Sequence, residues 1–124
     1  MKFKMVLLQL LAMAFLGVLC GTAALAGDAK TEKIMVVDVR TTEEFAQNHL
    51  VGAINLDFKA ADFSEQVQKL DKSGSYRLYC RTGNRSAQAA ELMKKLGFDD
   101  VQSVGGLQDA AAKLQLQCTA KEGC

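Results

Sequence analysis

Short apolar runs alternate along this chain with segments of helical periodicity, and few folds accommodate that order. Four runs are rich in β-branched, apolar or aromatic residues and suit buried strands: Ile34–Val39, Ala53–Leu56, Tyr76–Tyr79 and Val101–Val104. Four other segments carry helix signals: Thr41 to about Asn48, Ala60–Leu70, Ser86–Leu96 and Leu107–Leu116. The alternation predicts an α/β fold, with a four- to five-stranded, mainly parallel sheet and helices on both faces.

The first 26 residues have the composition of a secretory signal peptide. Lys2 and Lys4 precede the apolar run 5–19, and a small-residue site ends at Ala26. This pattern predicts cleavage after Ala26 and export to an oxidising compartment. A membrane anchor is the alternative, but the run is short for a span of about 20 residues. Cys20 suggests lipidation instead, although Leu19 before it is larger than the residue that lipoprotein processing prefers.

Charge and length limit the partners of the chain. With 124 residues, it is long enough for one domain and too short for two. The net charge of +1 excludes the broad basic surface of a general nucleic-acid binder. The charge thus argues against nucleic acid as a partner. We also expect no membrane association after signal cleavage, and a monomer.

Cys80 follows the third predicted strand and lies just before a predicted helix. Ligands bind at the carboxyl ends of parallel strands. The amides of a tight loop, the helix N-terminus and the guanidinium groups of Arg81 and Arg85 all supply positive potential there. These features predict a lowered pKa of the Cys80 thiol and a site for a dianion. Cys80 is the candidate catalytic residue, and the candidate substrate-binding residues are Arg81, Thr82, Gly83, Asn84, Arg85 and Ser86.

Together with three other motifs, this loop makes the sequence resemble the single-domain rhodanese family of sulfurtransferases. Within that family, the sequence is most similar to the small periplasmic members of the phage-shock system. Cys80-Arg-Thr-Gly-Asn-Arg85 is similar to the active-site loop of rhodaneses that use thiosulfate. Val37-Asp-Val-Arg40 resembles the first strand of the family. The segment 45–53 follows the pattern Phe-x-x-x-His-aliphatic-x-Gly-Ala. Gly105-Gly106-Leu107 falls where the family has a Gly-Gly-aromatic turn, with Leu107 in the aromatic position.

The resemblance implies a fold, an activity and a division of the chain. The implied divisions are a signal peptide at 1–26, a rhodanese domain at 27–117 and a cysteine-containing tail at 118–124. The implied reaction moves the sulfane sulfur of thiosulfate through a Cys80 persulfide to a thiophilic acceptor, which is cyanide in the usual assay. The expected partners are therefore a small-molecule sulfur donor and acceptor. No metal or organic cofactor is expected, because the protein itself carries the sulfur.

Other functions fit parts of the same pattern. Phosphatases and arsenate reductases use a Cys-x5-Arg loop, whereas Cys80 and Arg85 form Cys-x4-Arg. A non-catalytic persulfide carrier or sulfur-binding partner module is the second alternative. Cys80 paired with His49 as general base is a third, although the resemblance implies a structural histidine. A zinc site built on His49 lacks a Cys-x2-Cys pair.

Two further sequence features concern structure more than chemistry. Asp38 is expected to fix neighbouring backbone, and Arg40 to pair with Glu43 or Glu44. In an oxidising compartment, Cys118 and Cys124 are expected to form a disulfide that closes a short loop. The alternative is that a thiol of this tail reaches Cys80 and resolves its persulfide or locks it in a mixed disulfide.

Overall fold

A computed structural model describes residues 32–124. The predicted signal peptide, its cleavage site at Ala26 and the possible lipidation site at Cys20 lie outside the described residues. The strands are β1 (Ile34–Asp38), β2 (Ile54–Asn55), β3 (Ser75–Cys80) and β4 (Asp100–Gly106). The helices are α1 (Thr42–Gln47), α2 (Phe63–Gln68), α3 (Asn84–Lys95) and α4 (Leu107–Leu114). None of these helices has the length and hydrophobicity needed to span a bilayer.

The four strands form one sheet in the order β2-β1-β3-β4, and every neighbouring pair is parallel. This confirms the predicted α/β fold with a parallel sheet. The carboxyl ends of the strands lie along one edge, where Asp38 is opposite Tyr79 and Cys80 is opposite Gly106. The loops that follow β1, β3 and β4 therefore meet at that edge, where such sheets bind ligands.

Alternating residues of β3 face two separate apolar cores. Leu78 and Cys80 belong to the core that contains buried residues of α2 and α3. Tyr79 belongs to the other core, together with Ala110 of α4 and with Leu50. Helices therefore cover both faces of the sheet, as the alternation of elements predicts.

The start of α1 shows the predicted capping box. The Glu44 amide donates to the Thr41 hydroxyl at 3.2 Å, and the Thr41 amide donates to the Glu44 carboxylate at 3.0 Å. Both residues follow the carboxyl end of β1, so the box fixes the chain where it leaves the sheet.

Several predicted boundaries are wrong. Strand β4 continues through Gly105 and Gly106, which the sequence placed in a turn. An irregularity between Leu78 and Cys80 shifts the pairing so that Gly106 meets Cys80. Helix α3 begins at Asn84, two residues earlier than expected, and α2 is shorter than the predicted 60–70 at both ends. Helix α4 ends at Leu114, because Gln115 adopts a left-handed conformation with φ of 54°.

Residues 115–124, here called the tail segment, pack against the loop between α1 and β2. Cys118 forms an isolated antiparallel bridge with Leu50. Cys118 and Cys124 form a disulfide with a Cα–Cα distance of 5.4 Å. Cys80 is the free cysteine of the described residues.

Candidate active site

Cys80 is the last residue of β3, and its side chain is buried, with 1% of the residue exposed. The loop after it turns sharply at Gly83, where φ is 97°. Only glycine adopts this conformation readily. A side chain at Gly83 would also meet the Cα atom of Gly105 at 3.3 Å. The close approach of these two loops therefore depends on glycine, and it brings the start of α3 over the Cys80 sulfur.

The Cys80 sulfur accepts a hydrogen bond from the Gly83 amide at 3.0 Å and lies 3.5 Å from the Ser86 hydroxyl oxygen. Burial raises the pKa of the thiol, but hydrogen bonds from the Ser86 hydroxyl and from three loop amides lower it. Those amides belong to Thr82, Gly83 and Ser86. The net effect places the pKa of Cys80 below the ordinary cysteine value. A thiolate is the form that these donors stabilise.

A second hydroxyl supports Ser86 from the neighbouring strand. Ser86 is fully buried, and its oxygen lies 2.7 Å from the Ser103 hydroxyl oxygen in β4. Ser86 also donates to the Gly83 carbonyl at 3.0 Å. When Ser103 donates to Ser86, the single Ser86 proton can turn toward the Cys80 thiolate. Sequence analysis missed Ser103, since nothing local marks a serine in a strand as a partner of this loop.

Replacing Ser86 with alanine tests this hydroxyl. We expect Ser86→Ala to raise the pKa of Cys80 and to slow its alkylation by iodoacetamide near neutral pH by about tenfold, because a hydrogen bond to a charged group is lost. The measurement is the alkylation rate as a function of pH. Ser73→Ala, in an exposed turn, is the control. An unchanged pH profile for Ser86→Ala contradicts the role given to this hydroxyl.

Arg85 lies in the first turn of α3 and forms a two-point ion pair with Glu44 of α1. The nitrogen–oxygen distances are 2.9 and 3.2 Å. The hydrogen bonds from Arg85 lower the pKa of Glu44 to about 2. Arg85 is thus held between two elements at the edge of the site, where its charge also interacts with Cys80. Sequence analysis did not identify Glu44 as the partner of this arginine.

This ion pair gives a pH dependence of stability. The ordinary pKa of Glu44 is 4.5 and the folded value is about 2, so the stabilisation is complete above about pH 4.5 and is lost as the pH falls through about 2. The partly exposed pair is worth about 1 kcal/mol.

We expect Glu44→Gln to lower the free energy of unfolding near neutral pH and to leave it unchanged near pH 2. The free energy of unfolding is measured by urea denaturation at both pH values. In Glu91→Gln, which affects the exposed pair with Lys94, the loss should be negligible. An equal loss at both pH values contradicts the assignment.

The predicted pairing of Arg40 with Glu43 or Glu44 is wrong. Arg40 instead pairs with Asp38, with an Nη2–Oδ2 distance of 2.7 Å. The Arg40 amide also donates to Asp38 at 2.9 Å, so Asp38 does fix the neighbouring backbone. Both residues are buried, and Arg40 donates further to the Asn48 carbonyl. The buried pair therefore ties the loop after β1 to the loop after α1.

His49 has partners that suit a structural role. Its Nδ1 atom lies 2.8 Å from the Phe45 carbonyl oxygen, and its ring stacks on the Phe45 ring at 3.7 Å between centroids. The ring is thus packed onto α1, in agreement with the structural role that the resemblance implies. Nearby, the Leu50 amide donates to the buried Tyr79 hydroxyl at 3.0 Å.

Arg81 is exposed and lines a cavity of about 400 Å³ at the carboxyl edge of the sheet. The other lining residues are Arg40, Gly106, Leu107, Gln108, Asp109 and Cys124. Gly106 touches the loop closely, because a side chain there would lie 2.5 Å from the Arg81 carbonyl oxygen. Arg81 is therefore available to an anion that approaches from solvent.

The six candidate binding residues divide into three groups. Thr82, Gly83 and Ser86 place donors near the Cys80 sulfur. The two arginines lie at the edge of the site, Arg85 on Glu44 and Arg81 in the cavity. The side chain of Asn84 points along α3 and accepts from Gln88 at 3.1 Å. The side chain of Asn84 thus bonds to its own helix, so any contribution from this residue comes from its backbone.

A free, buried cysteine at the end of a parallel strand, with amides around its sulfur and a helix starting behind it, is an arrangement that suits thiolate chemistry on anions. The Rhodanese-like domain family model matches residues 22–113. This chain therefore belongs to the rhodanese-like family, as its motifs predict.

Individual relatives agree with the family assignment. The chain is 36% identical over 75 residues to the thiosulfate sulfurtransferase PspE of Escherichia coli (strain K12), covering 60% of this chain and 72% of that protein. It is 38% identical over 78 residues to the thiosulfate sulfurtransferase GlpE of Pseudomonas putida, covering 62% and 68%. Among solved structures, a rhodanese with anions from E. coli matches with a TM-score of 0.53 and 35% identity, over 61% of this chain and 89% of that one. Family and relatives together support sulfurtransferase activity in general.

Proposed function

We propose that this protein transfers the sulfane sulfur of thiosulfate to a thiophilic acceptor through a persulfide on Cys80. One observation carries the proposal: the buried, free Cys80 sulfur accepts the Gly83 amide at 3.0 Å inside a loop of converging donors. Such donors stabilise a negative charge on sulfur both before and after a second sulfur is added. Relatives named as thiosulfate sulfurtransferases support the choice of donor.

In the first half-reaction, the Cys80 thiolate attacks the outer sulfur of thiosulfate. A new sulfur–sulfur bond forms, the bond inside thiosulfate breaks, and sulfite leaves with the electron pair. Arg81, exposed beside the loop, attracts the dianion, while Arg85 adds positive potential from its position on Glu44. The loop amides then hold the anionic persulfide.

In the second half-reaction, a nucleophilic acceptor attacks the outer sulfur of the persulfide. The Cys80 thiolate is the leaving group, and the same donors that lower its pKa make it a good one. Cyanide gives thiocyanate in this step. The protein returns to its starting state without a metal or an organic cofactor in the proposed reaction.

Steady-state kinetics test the proposal. We expect thiocyanate to form from thiosulfate and cyanide with parallel double-reciprocal lines, because sulfite leaves before cyanide reacts. Intersecting lines contradict a persulfide intermediate. One sulfite released per protein with no turnover supports the persulfide-carrier alternative instead.

We also propose that the protein works after export to the periplasm and removal of residues 1–26. The basic and apolar start of the sequence supports this, and the Cys118–Cys124 disulfide suits an oxidising compartment. We expect the N-terminus of the exported protein to be Gly27, measured by intact mass. A periplasmic fraction without the protein, or a lipid-modified Cys20, contradicts the proposal.

A further inference from the structure

The tail segment is hydrogen-bonded to the loop between α1 and β2, near the candidate active site. The Thr119 amide donates to the His49 carbonyl at 2.8 Å, and the Val51 amide donates to the Gln117 carbonyl at 2.8 Å. Cys118, between these two anchors, is half-buried and packs on the core that contains Leu50. The matched family region ends at residue 113, so this segment lies beyond the part that the family model describes.

Cys124 lies at the carboxyl edge of the sheet, as Cys80 does. Gln108 donates through its side chain to the Cys124 carbonyl at 3.2 Å. Cys124 lines the same cavity as Arg81, the residue that follows Cys80. Gly106, in the wall of that cavity, is the residue of β4 that pairs with Cys80. The pair of Cys118, which is anchored, and Cys124, which is exposed, thus lies beside the loop that follows Cys80.

We propose that Cys118 and Cys124, in their reduced form, are a built-in acceptor for the sulfur carried by Cys80, so that the protein reduces thiosulfate to sulfite and hydrogen sulfide. The proposal rests on the proposed function, since it needs the Cys80 persulfide. The observation that carries it is that Cys124 and the active-site residue Arg81 line one cavity while Cys118 is anchored to the adjacent loop.

The chemistry balances in two steps. The Cys124 thiolate attacks the outer sulfur of the persulfide, and the Cys80 thiolate leaves. The Cys118 thiolate then attacks the Cys124 sulfur, hydrosulfide leaves, and the Cys118–Cys124 disulfide forms. The tail loses two electrons and two protons, and the sulfane sulfur gains them as hydrogen sulfide. A small dithiol or a dithiol protein reduces the disulfide for the next cycle.

Cys118 and Cys124 differ in exposure and in how firmly the chain around them is held, and this difference indicates which of them attacks first. Cys124 is exposed, and between the anchored Thr119 and Cys124 the chain can extend by at most about 17 Å once the disulfide is open. The persulfide also carries the transferable sulfur about 2 Å beyond Cys80. The positive charge of Arg81 in the shared cavity favours an attacking thiolate. Cys118 stays in place and is suited to the second, disulfide-forming attack.

A single-turnover experiment on the protein that begins at Gly27 tests the proposal. The protein is reduced, freed of reductant under nitrogen and mixed with thiosulfate in the absence of cyanide. We expect about one equivalent of sulfide, loss of two tail thiols and return of the Cys118–Cys124 disulfide by peptide mapping. Protein with its disulfide intact, and reduced Cys124→Ser and Cys118→Ser, should release sulfite but little sulfide. Reduced Glu122→Gln is the matched control in the same segment and should behave like the wild type.

The outcomes separate this inference from the proposed function. A Cys80 persulfide that persists in the reduced wild type, with no sulfide released, overturns the acceptor role and leaves sulfur transfer from thiosulfate intact. If no variant forms a Cys80 persulfide, the proposed function itself fails. A first-order rate constant of sulfide release that rises with protein concentration also contradicts the proposal, because the acceptor is in the same chain.

Discussion

Replacing Cys80 with serine is expected to reduce thiocyanate formation from thiosulfate and cyanide by about a thousandfold or more. The serine oxygen is a far weaker sulfur nucleophile than a thiolate, and no other free cysteine is present in residues 32–124. The fold should survive, because a hydroxyl is close to a thiol in size and can still accept the hydrogen bond from the Gly83 amide. Initial rates and thermal unfolding measure the two effects separately.

The control for this variant is Ser75→Ala. Ser75 is also buried in β3, but at the opposite end of the strand from Cys80. We expect it to leave the transfer rate within a fewfold of the wild type. Cys80→Ser turnover at a comparable rate would remove the basis for the proposed function.

Replacing Asp38 with asparagine is expected to lower the free energy of unfolding by about 3–5 kcal/mol. Asp38 is fully buried and accepts from the Arg40 amide at 2.9 Å and from its guanidinium at 2.7–3.1 Å. Asparagine removes the negative charge and leaves the buried guanidinium without compensation. Activity should fall as well, since the loop after β1 leads into α1 and the Glu44 carboxylate that holds Arg85.

Urea unfolding of a small set of variants measures this effect. Asp100→Asn is the matched control, because its ion pair with Arg77 is more exposed and is worth about 0–1 kcal/mol. The double variant Asp38→Asn, Arg40→Met should recover part of the loss, because it removes the unpaired charge. If Asp38→Asn costs no more than Asp100→Asn, the buried pair does not have the role assigned to it.

Sequence patterns predicted the parts of the fold that depend on near neighbours. The capping box of Thr41 and Glu44 involves residues three apart, and it forms as expected. The β-branched run at Ile34 and the apolar run before Cys80 form adjacent parallel strands. The glycine at position 83 adopts the left-handed conformation that a tight loop requires. Each of these features follows from backbone preference or burial within a few residues.

Features that depend on tertiary packing were missed or predicted wrongly. Arg85 pairs with Glu44, 41 positions away, and Ser86 contacts Ser103 on another strand. The preference of Arg40 for Asp38 arises because both are buried together, which charge spacing does not reveal. Likewise, β4 extends through two glycines because Gly106 pairs with Cys80 at the end of β3. Tertiary packing, and not local propensity, decides all four.

Intact-mass analysis after exposure to thiosulfate tests the central claim most directly. The protein, with its Cys118–Cys124 disulfide intact, is mixed with thiosulfate and separated from small molecules, and its mass is measured. The modified residue is then located by peptide mapping. We expect a gain of one sulfur atom, about 32 Da, on Cys80, which disappears after addition of cyanide. An unchanged mass with sulfite still released, or a sulfur found on another residue, contradicts the account.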